Sequence, residues 1–388
     1  ITERRSGVIL TEQGMDVMGS ALNVFGAGFG AGTEIWGSTT INLNEGYAFQ
    51  LFGGGEEGVV GKKDNEGEYA YNAAYSTTVN LKGNRIGQLG EFDDLAECEF
   101  IYGGGFEGLI AGDTHINLGN GRIFNSFAGS CNADILGHTE TIVGRNGGVN
   151  SSLGYPYVRD NLYGGNDLGG SILGSKDFIG DVDANDLPLI HGGNTTLASA
   201  YVEFLQGRVV EIYGGCYGVY DYENEFSNVT QKPFLDNAFV NIRPTNSNDN
   251  AIVRGVFGAG QGITNEREGD KMQNRSYVLI DIPGELEHFN HLEVFGAGSF
   301  DGLGMGLTKA EVQDNPDNAS AIIDLIQGKI DAVFGASYNE GFTRRTVVNI
   351  PAGSTIHVNN IFGGAYGLTN TMPCDAYEAN VNFNSSDA

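Results

Sequence analysis

Short stretches in which apolar residues flank a single polar residue recur along the chain. The pattern occurs at 40–43, 78–81 and 115–118, which read TINL, TVNL and HINL. Side chains of a strand point alternately to opposite faces, so each stretch predicts a strand with two inward apolar residues and one outward polar residue. No stretch carries the i, i+3, i+4, i+7 pattern with capping residues over three turns, so no helix is predicted.

A second motif, an aromatic residue followed by Gly (once Ala) and then a small residue, occurs ten times. Consecutive copies are 25 to 50 residues apart, and the shortest spacings cluster between 25 and 28. The two spacings of 50 fit either two repeat units or one unit with a long insertion. The aromatic residues of the ten copies are Phe25, Phe52, Tyr102, Phe127, Tyr163, Tyr213, Phe257, Phe295, Phe334 and Phe362.

Together the two motifs describe a repeating unit of three short strands, separated by glycine turns, in about 25 residues. Such a unit cannot bury its apolar face alone, so we expect the units to stack as coils whose strands pair in parallel. The sequence therefore predicts an all-β protein, a parallel β-helix of about 13 coils and about 60 Å length. In it, the aromatic residues form an internal ladder, and the adjacent glycines supply the positive φ that turns each coil.

The alternative fold is a kelch-type β-propeller, whose repeat of about 50 residues matches the two long spacings. Blades of that type typically carry a tryptophan, whereas this chain has only Trp36. Spacings of 25 and 27 residues are also too short for a four-stranded blade. The β-helix is therefore favoured.

One continuous run makes the pattern more specific. Residues 102–127 read YGGGFEGLIAGDTHINLGNGRIFNSF, which resembles the coil repeat of right-handed, pectin-lyase-like β-helix surface proteins of Bacteroides-type bacteria. The resemblance implies a right-handed coil and a location outside the cell or at its surface, associated with the outer membrane. We accordingly expect residues 1–388 to form a single β-helix domain that is a segment of a longer chain.

Composition and charge exclude several classes of protein. The 388 residues include 49 Asp and Glu against 21 Lys and Arg, a formal net charge of −28, which argues against a nucleic-acid partner. No run of about 18 apolar residues is present, so no transmembrane span is predicted. Four cysteines without a CxxC pair favour buried free thiols, although Cys98 and Cys131 could form a bridge if they lie on adjacent coils.

Catalytic and metal-binding residues are hard to assign. The Asn-Thr-Asp, Gly-His-Gly and Arg-Ile-Lys motifs of polygalacturonase-like enzymes are absent, and no catalytic residue is predicted. A lyase site would be sought around Asp93 and Asp94, with Lys82 and Arg85 nearby. Residues 164–170 resemble a calcium-binding nonapeptide but occur once, so no metal site and no cofactor are predicted, with Ca²⁺ the one ion the chain could bind.

Long insertions mostly follow the aromatic-glycine corner, at 56–76, 217–237, 261–275, 299–319 and 365–378. Insertions at one corner of stacked coils would leave the rod along one edge, and such an edge is often the binding face. The predicted ligand-binding residues are Tyr217, Tyr220, Asp221 and Tyr222, because tyrosine rings stack on sugars and carboxylates bind hydroxyls or Ca²⁺.

The sequence therefore favours an exported or cell-surface, non-catalytic β-helix that binds a glycan or a surface partner. One alternative is a polysaccharide lyase or glycoside hydrolase, and whether the chain is an enzyme stays open, with the absence of activity favoured. Another alternative is a structural stalk or filament segment whose coil ends stack on further repeats.

Overall fold

The computed structural model describes residues 8–11, 14–17, 20–44, 46–82, 96–144, 155–178, 197–218, 233–244, 251–262, 271–283, 289–300, 320–339, 341–367 and 374–384. Strands dominate these residues; Ala73–Tyr75 forms a 3-10 turn, and Phe289 also has 3-10 conformation. Two short antiparallel pairs lie outside the main sheet: β1 (Val8–Thr11) with β2 (Gly14–Val17), and β15 (Lys176–Asp177) with β16 (Leu197–Ala198).

Ten parallel strands form the face that we call the aromatic face, because each strand ends at one of the ten motif aromatics. Each strand pairs with its equivalent in the next coil, in a register that aligns these aromatic residues. The strands are β3 (Ser20–Phe25), β6 (Gly46–Phe52), β9 (Ala96–Tyr102), β11 (Gly121–Phe127), β13 (Pro156–Tyr163), β18 (Arg208–Tyr213), β20 (Ile252–Phe257), β22 (Glu293–Phe295), the second half of β23 (Ser320–Phe334) and β25 (Thr355–Phe362).

A second set of ten parallel strands forms the amide face, named for the asparagines at its outward centre. These strands also stack in register from coil to coil. They are β5 (Thr39–Leu43), β8 (Thr77–Leu81), β10 (Thr114–Leu118), β12 (Thr139–Val143), β17 (Ala200–Phe204), β19 (Phe234–Ile242), β21 (Lys271–Asp281), the first half of β23, β24 (Gly341–Ile350) and β26 (Cys374–Phe383).

A third, shorter face closes the coils between the other two wherever that part of a coil is described. It consists of β4 (Glu34–Ile35), β7 (Val59–Val60), single bridges at Ile110 and Ile135, and β14 (Ser171–Ile172), followed by the first residues of β19 and β21. All three faces pair in parallel from coil to coil. The chain is therefore a parallel β-helix, and the propeller alternative is wrong.

The two 50-residue spacings are each one coil with a long insertion. The Phe52 ring stacks directly on Tyr102, with centroids 4.6 Å apart, and Tyr163 stacks on Tyr213 at 5.1 Å. The described residues therefore form ten coils rather than 13. Nine steps of about 4.8 Å make the ladder about 43 Å long, shorter than the predicted rod.

The aromatic ladder lies on the opposite side of its sheet from the central core. Leu51, Ile101 and Leu162, which precede three of the motif aromatics, belong to the large core cluster enclosed by the coils. The motif aromatics form a separate buried cluster, because successive strand residues point to opposite faces. The expected internal ladder is thus wrong in its position: the rings stack outside the coil and are covered by residues that follow the corner.

The covering residues meet the ladder edge-on. Tyr338 packs against Phe295 with a centroid distance of 5.3 Å and an interplanar angle of 78°, and Tyr366 packs against Phe334 in the same way. Rings within the ladder are nearly parallel, at 5 to 15°. Both geometries are favourable for aromatic pairs, so the ladder is stabilised along its length and on its outer side.

Glycine follows the motif aromatics because there is no room for a Cβ at this corner, and not because the backbone needs a positive φ. Gly53 does not have positive φ, but a Cβ at this position would overlap the carbonyl oxygen of Gly103 in the next coil. Positive φ occurs instead in the turn that precedes the aromatic strand, as at Gly121, Gly207 and Gly328, so the prediction for the corner glycines was wrong. Ala128 is the one larger residue at the corner position.

Six of the corner carbonyls are also held by a hydroxyl from the inside of the coil. Thr77 Oγ1 donates a hydrogen bond of 2.6 Å to the Gly103 carbonyl, and Thr39 Oγ1 donates one of the same length to Gly53. These threonines begin the amide-face strands and point inward. The corner is therefore fixed by a close approach of backbone and by a buried hydrogen bond.

No disulfide joins the four cysteines, and Cys98 and Cys131 do not form a bridge; Cys98, Cys131 and Cys216 are buried thiols as predicted, whereas Cys374 is only partly buried. Cys98 lies in the central core, whereas Cys131 lies with the aromatic ladder on the other side of the sheet. Burial raises the pKa of the Cys98 thiol, so it remains protonated and acts as a small apolar side chain.

We predict that Gly53→Ala lowers the free energy of unfolding by about 1–3 kcal/mol, because the new Cβ forces neighbouring coils apart. Gly32→Ala is the matched control, since a Cβ at Gly32 meets no atom within 4 Å and the backbone there has no positive φ. Urea unfolding followed by circular dichroism measures both. Equal stability of the two variants would contradict the steric account of the corner.

Candidate functional site

The predicted ligand-binding residues are only partly covered by the structure. Tyr217 is half-buried, and its ring packs on the outer side of the ladder, 5.1 Å from the Tyr163 ring. Burial makes the largest contribution to raising the pKa of its hydroxyl, and the nearby charges of Asp167 and Asp160 raise this pKa further. Tyr220, Asp221 and Tyr222 lie outside the described residues, so their role as ligand contacts stays a prediction.

Residues that follow the corner stack in one hydrogen-bonded row. The Tyr217 amide donates to the Asn166 carbonyl at 3.0 Å, and the Phe300 amide donates to the backbone carbonyl of Gln261 at 2.8 Å. The Tyr366 amide donates to Ser337 at 3.0 Å. The loops after Tyr213, Phe257, Phe295 and Phe362 thus begin at equivalent places, while most of their residues lie outside the described part of the chain.

The insertion at 56–76 departs from this scheme. Its first residues continue into β7 of the short face, and the excursion is made by residues 61–76, after that strand. The prediction that this loop leaves directly at the corner was therefore wrong. The excursion instead lies beside the start of the rod, where it approaches Glu34 and Trp36.

An exposed aromatic surface forms at this place, and we call it the Trp36 surface. It consists of Glu34, Trp36, Lys62, Tyr69 and Tyr71. The Trp36 Nε1–H donates to Glu34 Oε2 at 2.7 Å, and the Tyr69 hydroxyl donates to Glu34 Oε1 at 2.7 Å. One carboxylate therefore holds two aromatic side chains, although the Trp36 residue is 66 % exposed.

The shape of the excursion is set by its own turn. Both the Glu66 and Glu68 amides donate to Asp64 Oδ1, at 2.8 and 3.0 Å, and Gly67 provides a positive φ of 90°. Lys63 and Tyr69 then pair across the turn as an antiparallel bridge. This geometry brings Lys62 to the indole, with Nζ 4.3 Å from the ring centroid, which is a cation–π contact.

The pKa values of Glu34 and Tyr69, the two titratable groups joined by a hydrogen bond in this surface, are shifted in opposite directions. Hydrogen bonds from Trp36 and then Tyr69 lower the pKa of the Glu34 carboxyl, so it stays ionised. Burial, followed by the hydrogen bond to Glu34, raises the pKa of Tyr69 to about 12, so its hydroxyl stays a donor. The surface thus presents fixed rings, a fixed anion and a nearby lysine at neutral pH.

A histidine–aspartate pair lies behind Tyr71. His138 Nδ1 is 2.8 Å from Asp113 Oδ1, and the Tyr71 hydroxyl donates to Asp113 Oδ2 at 3.1 Å. Within the described residues, the buried His138 Nε2 has no hydrogen-bond partner, so this pair has no hydroxyl or thiol nucleophile beside it. Sequence reasoning missed the pair, although its spacing of 25 residues equals one coil.

A groove on the aromatic face brings two carboxyl groups together. Its volume is about 480 Å³, and Glu211, Arg254, Glu293 and Tyr338 contribute to its lining. Glu211 and Glu293 occupy the same row two coils apart, with Gly255 between them. Burial raises the pKa of Glu293, and the charges of Asp331 and Glu211 act in the same direction.

This groove was also missed, because its carboxyl groups are 82 residues apart in the sequence. The signal that could have found them is their shared position two residues before a motif aromatic. His291 also lines the groove.

The calcium-like segment 164–170 is a coil corner. Asn166 Oδ1 accepts from the Ser130 amide at 2.8 Å, and its Nδ2 donates to the carbonyls of Ala133 and Gly169. Asp167 Oδ2 accepts from the Tyr102 hydroxyl at 2.8 Å. In the part of the chain that the structure describes, no group of three or more metal-ligating side chains comes together. Arg85, Asp93 and Asp94 lie outside that part.

The strand-centre amides form two short ladders rather than one continuous strip. Asn42, Asn80 and Asn117 are linked by side-chain hydrogen bonds at the start, and Asp324, Asn349 and Asn382 are linked at the end. Between them, the row passes through Ile142, Glu203, Asn241 and Leu279. Asp281 lies beside the row and accepts from Gln327 instead.

We predict that Asp113→Asn removes part of the acid sensitivity of folding. Burial alone would raise the pKa of Asp113, but the hydrogen bond and charge of His138 outweigh it and hold the pKa below its usual value. A carboxyl with a lowered folded-state pKa stabilises the protein above its unfolded pKa, about 4, and this stabilisation is lost as pH falls through the folded pKa.

The variant should therefore be less stable by about 1–3 kcal/mol at pH 6, and the difference should shrink toward pH 3. Urea unfolding at the two pH values measures it, with Tyr71→Phe as the control that keeps the contact between Asp113 and His138. A difference from the wild type that is the same at both pH values would refute this role.

No protein-family model, curated protein or solved structure matches the chain. Among the described residues, no helix is long and apolar enough to cross a membrane.

Proposed function

We propose that the chain is a non-catalytic carbohydrate-binding protein and that the Trp36 surface makes the contact. The observation that carries the proposal is the Trp36 side chain, which is largely exposed yet fixed by its bond to Glu34. A rigid exposed ring loses little conformational entropy when a ligand stacks on it. Burying the indole against a ligand would also remove a large apolar surface from water.

The neighbouring groups suit the hydroxyls of a sugar. Lys62 can donate hydrogen bonds, the Glu34 carboxylate can accept them, and Tyr71, which is 53 % exposed, belongs to the same excursion. Aromatic rings with a polar group at one end are the side chains that combine apolar stacking with hydrogen bonding. The surface therefore fits a ligand that has both an apolar face and hydroxyl edges.

Net charge narrows the class of glycan. A charge of −28 repels uronic-acid and sulfated polymers at long range, especially at low ionic strength. We therefore propose neutral or amino sugars as ligands. The resemblance of residues 102–127 to coil repeats of Bacteroides-type surface proteins supports binding at the cell surface or outside the cell.

A second candidate function is glycoside hydrolysis in the groove between Glu211 and Glu293. The observation that favours it is the raised pKa of Glu293 beside a second carboxyl group, since hydrolases use one protonated and one ionised carboxyl. Release of reducing sugar that Glu293→Gln abolishes would promote this candidate above carbohydrate binding.

We predict that Trp36→Ala weakens binding to neutral polysaccharides at least tenfold, because it removes the stacking surface. Phe29→Ala is the control, since Phe29 is 78 % exposed and outside the Trp36 surface. A glycan array followed by calorimetry on the best ligand measures both. Absence of binding to every glycan tested would overturn the proposed function.

The same experiment tests the loop tyrosines. If Tyr220→Ala/Tyr222→Ala abolishes binding and Trp36→Ala leaves it unchanged, the ligand site belongs to the 217–237 loop and not to the Trp36 surface. If Trp36→Ala alone weakens binding, the loop tyrosines are not contacts.

A further inference from the structure

Two lysine ammonium groups of the chain lie over aromatic rings of the excursion at 61–76. Lys62 Nζ is 4.3 Å from the centroid of the Trp36 ring, and Lys63 Nζ is 5.2 Å from the centroid of the Tyr69 ring. Both distances are within about 6 Å, the range over which the electron-rich face of a ring attracts a cation. The Trp36 surface therefore already accepts an ammonium group, which the chain itself supplies.

A carboxylate lies beside the same ring. Glu34 Oε2 accepts from the Trp36 indole at 2.7 Å, and Glu34 Oε1 accepts from the Tyr69 hydroxyl at the same distance. Each carboxylate oxygen has two lone pairs, so both oxygens keep the capacity to accept a further hydrogen bond. The two existing bonds lower the pKa of the carboxyl, which is therefore ionised at neutral pH. An ammonium group over the indole thus meets an aromatic face and an anion together.

We propose that the glycan bound at the Trp36 surface carries a protonated amine, which replaces the Lys62 ammonium over the indole. This inference rests on the proposed carbohydrate-binding function and narrows its ligands to amino sugars with a free ammonium group. Lys62 is exposed and has a flexible four-carbon stem, so its ammonium group can leave the ring without a change in the fold. The apolar face of the sugar that carries the amine then covers the rest of the indole.

The charges around the ring favour the same class of ligand. Glu34 and the excursion together carry four carboxylates and two lysines, so the surroundings of the indole are acidic. The whole chain has a net charge of −28. Both the local and the overall charge attract a cationic ligand and speed its association. A free amine therefore gains from attraction at long range as well as from its contact with the ring.

Tryptophan fluorescence tests the inference at this site alone, because Trp36 is the one tryptophan of the chain. The two probes are the β-1,4-linked tetramer of glucosamine and the glucose tetramer of the same linkage, which carry an ammonium group or a hydroxyl at carbon 2. Both are titrated at about pH 5.5, where the amine is protonated and the Glu34 carboxylate is ionised. We expect the glucosamine tetramer to bind at least about fivefold more tightly.

A pair of charge-removing variants separates the contact from attraction by net charge. Glu34→Gln should lower the preference for the glucosamine tetramer at least about threefold, because the amide keeps an acceptor for the indole N–H but has no charge. Glu66→Gln is the matched control, since it removes the same charge from the same excursion at an exposed residue outside the Trp36 surface. Its effect on the preference should be small, because exposed charges are screened by salt.

Removal of the lysine should have the opposite effect. Lys62→Ala uncovers the indole and removes the competing ammonium group, so the preference for the glucosamine tetramer should rise at least about twofold. Lys329→Ala, at an exposed lysine of the aromatic face, changes the net charge equally and should leave the preference unchanged. A lower preference in Lys62→Ala would contradict the inference, because it would mean that Lys62 contacts the ligand instead of making room for it.

Three further outcomes would overturn the inference: binding of the glucose tetramer that is as tight or tighter, an equal loss of preference in Glu34→Gln and Glu66→Gln, or no binding of either tetramer. The first outcome leaves carbohydrate binding at Trp36 intact and removes only the amine. The second assigns the preference to net charge alone. The third removes the proposed function as well only if the glycan array is also empty.

Discussion

In-register parallel stacking of coils is the constraint on which the rest of this structure depends. Because each strand pairs with its equivalent about 4.8 Å away, every side chain meets the same position of the next coil. The aromatic ladder, the inward threonines and the corner glycines are all consequences of this single repeat. A residue that suits one coil must therefore suit its two neighbours, which explains why one short motif occurs ten times.

Stacking also decides where function can be placed. Strand residues are occupied by pairing on both sides, so variable chemistry lies on outward rows and in excursions between strands. The Trp36 surface is built by one such excursion, which reaches back to Glu34 in an earlier coil. The groove on the aromatic face forms where Gly255 leaves a space between Glu211 and Glu293, whose carboxyl groups belong to one row.

Much of the fold could be predicted from the sequence, because a period-2 pattern and ten aromatic motifs report directly on strands and coils. The number of coils could not, since a 50-residue spacing does not reveal whether an insertion folds into the helix. The side of the sheet on which the aromatic ladder lies was also predicted wrongly. The motif shows that Phe52 and Leu51 face opposite ways but not which of them faces the core. The candidate site was harder to predict than the fold. Glu34, Trp36 and Tyr69 meet through an excursion that no repeat predicts. Asp113 and His138, by contrast, are one coil apart and could have been found from the spacing.

The described residues form ten coils in one continuous stack, and a distance along the amide face tests this arrangement most directly. Spin labels at Asn42→Cys and Asn382→Cys, in a chain with Cys374→Ser, mark the first and last members of one row. Dilution with unlabelled chain removes distances between copies. Pulsed dipolar spectroscopy should give a distribution centred near 43 Å, nine coil steps. A centre near 58 Å, as 13 coils require, or one below about 25 Å would contradict the ten-coil rod.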